Sequence, residues 1–169
     1  MRHILTAAAM LFAATPAWAA DTPNENLKAF AYLAGSCWEG PFPDGKSTDQ
    51  HCYTWIQEGS YLRDQHQVIG ANPPYYGETT YYWDHDAKVV KYIYWSKGGG
   101  YSTGSAIPHE GGVKYPDERY VGPEGEILVR AESKKIDENS YQQHAEMKGK
   151  DGTWTTFVNS TYKRKPLKP

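Results

Sequence analysis

The densest group of ionisable side chains in the chain is Arg63-Asp64-Gln65-His66. Along an extended strand alternate side chains share a face, so Asp64 and His66 go together with Leu62 and Val68. On an internal face a carboxylate and an imidazole would meet in a desolvated cavity, where shifted pKa values and acid–base roles arise. Glu78, on the following strand, is either their neighbour or the partner of Arg63. Asp64, His66 and Glu78 are thus the residues through which this chain would act as an enzyme of the isomerase or hydrolase kind. Nucleophilic catalysis lacks comparable support, because no glycine-flanked nucleophile elbow is present. His51, His66, His85, His109 and His144 show no metal-ligand spacing such as an i, i+4 pair with an acid, and no metal site is expected.

The second chemical resource is aromatic. The chain holds 14 tyrosines and 6 tryptophans, and tyrosine joins a broad apolar face to a hydroxyl that needs a partner. Tyr53, Tyr81, Tyr92 and Tyr94, with Arg63, are the expected ligand-binding residues. Two readings stay open for the tyrosines: a lined cavity for an amphipathic molecule, or cross-strand packing.

These residues are positioned by short alternating segments. Asn24 caps a short helix carrying Leu27, Phe30, Ala31 and Leu33 on one face, and Gly35 ends it. Strands follow at Ser36–Gly40, Gln50–Gln57, Tyr61–Ile69, Gly77–Trp83, Lys88–Ser96, Tyr101–Ile107, Val113–Tyr120, Ile127–Ile136, Ser140–Lys148 and Thr153–Lys163. Turn residues such as Pro43-Asp44-Gly45, Gly98-Gly99-Gly100 and Lys150-Asp151-Gly152 make nearly every connection hairpin-sized. The expected fold is all-β: an antiparallel up-and-down barrel of about ten strands with a short N-terminal helix, closed because closure removes exposed edges. A β-sandwich is the rival. Lys88–Ser96 puts Val90, Tyr92 and Tyr94 opposite Lys91, Ile93 and Trp95, and Thr153–Lys163 puts Trp154, Val158 and Tyr162 opposite Phe157. Which side faces in is not fixed by this pattern.

Asp44-Gly45 stands midway between Cys37 and Cys52, so a hairpin centred there sets the two cysteines face to face, and Trp38 opposite His51. Facing Cα atoms are close enough for a disulfide, which is expected.

Leu33-Ala34-Gly35-Ser36-Cys37-Trp38-Glu39-Gly40, with the later Tyr76-Gly77-Glu78-Thr79-Thr80-Tyr81-Tyr82-Trp83-Asp84 and Tyr92-Ile93-Tyr94-Trp95, resembles the opening of lipocalin-like and fatty-acid-binding-like barrels, including nitrobindin-type haem barrels. Two residues separate Gly35 from Trp38 where lipocalins have one. The resemblance implies that the glycine and tryptophan pack at the closed end, and that the barrel holds a small apolar or amphipathic ligand. It also raises haem, held through the late-strand His144. The polar neighbours Gln142 and Glu146 speak for a surface histidine instead, and no cofactor is expected.

Residues 1–20, with Arg2 and His3, an apolar run and Ala17-Trp18-Ala19-Ala20, have the layout of a secretory signal peptide. Residues 21–169 then form one domain of an exported protein, periplasmic or secreted, an environment in which disulfides persist. The net charge of −2 gives no electrostatic reason to expect nucleic acid. No apolar stretch predicts stable membrane insertion. The leading expectation is a non-enzymatic binding barrel, against an Asp64/His66 enzyme or a glycan-binding envelope module that uses exposed aromatics.

Overall fold

The computed structural model describes residues 22–167. The leader expected over residues 1–20 lies outside them. A 3-10 helix runs over Glu25–Phe30, capped by the Asn24 side chain, which accepts from the Asn26 amide. Three residues per turn set Leu27 beneath Phe30, and Leu33 continues the row in the turn that follows; all three are buried. Gly35 takes φ +72°, the left-handed region open to glycine, and turns the chain into the first strand.

Ten strands follow: β1 (Ser36–Pro41), β2 (Thr48–Ile56), β3 (Tyr61–Ile69), β4 (Tyr75–Asp84), β5 (Val89–Ser96), β6 (Tyr101–His109), β7 (Gly112–Gly122), β8 (Gly125–Asp137), β9 (Ser140–Lys148) and β10 (Trp154–Pro166). Each pairs antiparallel with its sequence neighbours, and β1 pairs with β10, which closes the barrel and excludes the sandwich. Cys37 faces Cys52 in the β1–β2 register, as the Asp44-Gly45 turn dictates, and the two are bonded.

Alternation sorts the strands into two faces. On β5, Val90, Tyr92 and Ser96 are buried while Trp95 is exposed. Outside, Trp95 stands opposite Tyr101, with Tyr76 also exposed on β4. The regular alternation breaks at register shifts. One lies between Thr156 and Val158, so Trp154 does not share the inner face of Val158 and Tyr162. Trp154 instead stacks outside under the Arg130 guanidinium, 4.2 Å from its ring centre. A bulge inserts an unpaired residue and reverses the faces before and after it.

One end of the barrel is plugged. Phe30 packs on Tyr81 with ring centres 5.0 Å apart, and Trp38 is fully buried against Tyr141. The Trp38 indole donates to the Leu33 carbonyl at 2.9 Å, which ties β1 to the turn after the helix. Arg164 on β10 lies over the Trp38 ring at 4.5 Å and donates to Ser36 Oγ and to the Tyr32 and Glu138 carbonyls. The first-strand tryptophan therefore belongs to the plugged end. The space inside lies towards the other end, where the β1–β2 turn residues Phe42 and Pro43 border it.

Candidate ligand-binding cavity

Bulky residues inside a barrel leave space only where their neighbours across the ladder are small. Here Tyr92 faces Gly104, Tyr94 faces Ser102 and Thr79, and His66 faces Gly77. A side-chain carbon added at Gly77 would fall 2.5 Å from the Tyr94 ring, so glycine is what admits that ring. The result is a cavity of about 610 Å³, lined by nine tyrosines together with smaller apolar residues such as Val129, Ala131 and Ala145. The size lies within the range of small-molecule sites.

One wall is polar. The β2–β3 register sets His51 directly opposite His66, and their rings stack with centres 4.3 Å apart. His51 Nδ1 is 2.7 Å from Asp64 Oδ2, and His66 Nε2 is 2.5 Å from Asp49 Oδ1. Tyr162 donates to the other Asp49 oxygen at 2.6 Å. Asp49 and Asp64 are buried, and Asp64 Oδ1 has no hydrogen-bond partner. Burial works against charge on the His51 imidazole, but the carboxylates of Asp64 and Asp49 outweigh it and hold its pKa well above the ordinary value. Burial likewise opposes ionisation of Asp49, and the attraction and hydrogen bonds of His51 and His66 overcome it, holding this carboxyl well below the usual range. Two carboxylate–imidazole pairs thus share one cavity wall, able to accept or release a proton there.

Asp49, His51 and His66 bring ligand-type atoms within 4.8 Å of one another, close enough to consider a metal. The two imidazole planes differ by only 6° in their stack. An ion cannot lie in both ring planes until the rings turn and the bond from His66 to Asp49 is given up. The arrangement fits hydrogen-bonded pairs better than a preformed metal centre.

Across the barrel, β7 contributes Glu118. A register shift between Tyr115 and Glu118 turns this glutamate inward, where it lines the cavity. Its Oε2 is buried without a partner, and Oε1 has only Ser102 Oγ, at 3.4 Å. Burial pushes its carboxyl up to about 7. The tyrosine hydroxyls mostly satisfy one another or a serine: Tyr75 bonds Tyr94, and Tyr120 bonds Ser96 at 2.8 Å.

Of the residues expected from sequence, Tyr53, Tyr81, Tyr92, Tyr94, Asp64 and His66 line the cavity. Arg63 does not; it lies on the other face of β3, near Thr54 on β2. Glu78 is also outside, paired with Gln65 and Trp95 on an outer groove, so it is not a neighbour of the Asp64 carboxylate. Gln143 and Ala145 take the inward positions of β9, which leaves His144, the residue through which haem was considered, outside, opposite Glu132 and Asn159. Asp49, His51 and Glu118 were not singled out as site residues. A turn centred on Glu58-Gly59 sets His51 opposite His66 and was a readable signal; Glu118 had none, because its bulge leaves no mark in composition. No protein-family model matches the chain, and no curated protein matches it in sequence.

Proposed function

We propose that this chain is an exported, lipocalin-like barrel that binds a small amphipathic molecule. The observation that carries the reading is the tyrosine-lined cavity of about 610 Å³ with its polar groups gathered at separate points of the wall, the makeup of a site that buries an apolar body and orients a polar end. The disulfide is compatible with export, and no helix among the described residues is long and apolar enough to cross a membrane. Native mass spectrometry of protein from its own host should retain a ligand mass. The neutral dye N-phenyl-1-naphthylamine should brighten on adding the protein and be displaced by that ligand. Ala131→Trp, which fills the cavity from β8, should abolish the brightening while leaving the far-ultraviolet circular dichroism of the sheet intact. Equal brightening by the filled variant would rule the reading out.

A second reading is an acid–base enzyme. The pairing of His51 with Asp64, and of His66 with Asp49, in one cavity supports it. Solvent deuterium entering a captured ligand in the presence of the protein, and not with Asp64→Asn, would favour it over binding alone.

A further inference from the structure

The cavity is unbalanced in charge. Among the described residues its lining contains three carboxylates, Asp49, Asp64 and Glu118, and neither lysine nor arginine. The basic groups there are His51 and His66, and each is already engaged by an aspartate. An anionic head, such as the carboxylate of a fatty acid, would find no free cation and would face three acids. A buried carboxylate oxygen left without a partner is a costly arrangement.

Glu118 is that carboxylate, with Oε2 unpartnered and Oε1 at the long limit of a bond to Ser102. Its surroundings suit a cation. A side-chain carbon added at Gly104 would lie 2.5 Å from the Tyr92 hydroxyl and 2.9 Å from Glu118 Oε2, so glycine lets both groups converge over one patch of β6. The Tyr94 and Tyr120 rings stand beside each other near the same wall, with centres 6.4 Å apart. Aromatic faces next to a carboxylate attract ammonium groups and do nothing for anions.

We infer that the ligand carries a cationic head, an ammonium or amidinium group, that pairs with Glu118 Oε2 while its apolar body lies among the tyrosines. The inference rests on the binding reading above and narrows it to cationic amphiphiles. Burial pushes the Glu118 carboxyl up to about 7, and a cation beside it favours its ionised form.

The test uses one alkyl body with three heads: dodecylammonium, dodecanol and dodecanoate, each displacing N-phenyl-1-naphthylamine from the purified protein below its micelle concentration. Dodecylammonium should bind at least about tenfold more tightly than dodecanol, as a desolvated charge pair warrants, and dodecanoate should be the weakest. Glu118→Gln should bring the ratio of ammonium to alcohol affinity close to one. Glu78→Gln, which removes a carboxylate from the outer groove and not from the cavity, should keep that ratio high. Ammonium and alcohol binding equally to the unaltered protein, or dodecanoate binding best, overturns the inference and leaves the binding reading standing. A ratio that survives Glu118→Gln overturns the assignment to Glu118. Absence of any dye displacement by all three fails the binding reading itself, and this inference with it.

Discussion

Glu118 is a glutamate whose folded environment favours the proton. Its carboxyl rises from the usual 4.5 to about 7 because burial disfavours the charge. The native state therefore keeps a proton that the unfolded chain releases as pH climbs above about 4.5, and stability contributed by this group is lost progressively up to about pH 7. The loss amounts to on the order of 3 kcal/mol at most. Urea unfolding at pH 5 and pH 8 should show Glu118→Gln losing less stability than the unaltered protein over that interval. Matching losses would show that Glu118 is not held in a desolvated place. At this scale the sequence was partly transparent. Asp64 and His66 share a face by simple alternation and both line the cavity. Arg63 directly precedes Asp64 in sequence, and the same alternation sends it to the outer face. Glu118 follows a shift in register, and no local residue pattern announces which way it turns.

Among the elements, the β1–β2 hairpin carries the strongest local constraint. Its disulfide joins facing residues of the first two strands, with a sequence separation of 15. Closing a loop of that length stabilises a fold by about 3 kcal/mol through the unfolded state. The double variant Cys37→Ser with Cys52→Ser should lower urea-unfolding stability by about that amount and leave the sheet signal and dye binding in place, because the bond lies on the barrel wall and neither cysteine borders the cavity. Loss of dye binding in a variant that still shows the full sheet signal would contradict that placement. Hairpin registers were readable because a turn dipeptide fixes which residues face each other. The same rule extended to Glu58-Gly59 sets His51 on His66, the centre of the polar wall. Bulges escape such reasoning, since one unpaired residue shifts every later side chain without altering strand length or composition. Trp154 and Glu118 both lie next to such shifts.

For the whole molecule, meandering strands with hairpin-sized turns implied an antiparallel barrel, and closure was the economical end for a sheet of this width. The inside and outside could not be told apart beforehand, because both faces carry aromatics: Tyr92 and Tyr94 within, Trp95 and Tyr101 without. What separates them is the set of small partners, Gly77, Gly104 and Ser102, and their effect depends on pairings between strands. Most contacts are between adjacent hairpins, but the seam of β1 with β10 joins the two ends of the described chain, as where Arg164 bonds Ser36 across 128 residues. Non-local pairing of this kind slows folding to the millisecond-to-second range. In stopped-flow refolding of the disulfide-intact protein, the dye signal should rise no earlier than the sheet signal. A dye phase that precedes the sheet would mean that the pocket assembles before closure.

The seam also has a consequence for supply. A barrel closed by pairing its first strand with its last has no interior until β10 reaches β1. Under the proposed binding function, whatever fills it is taken up where the seam is made, and a ligand mass retained in protein from its host would sample the chemistry of that place.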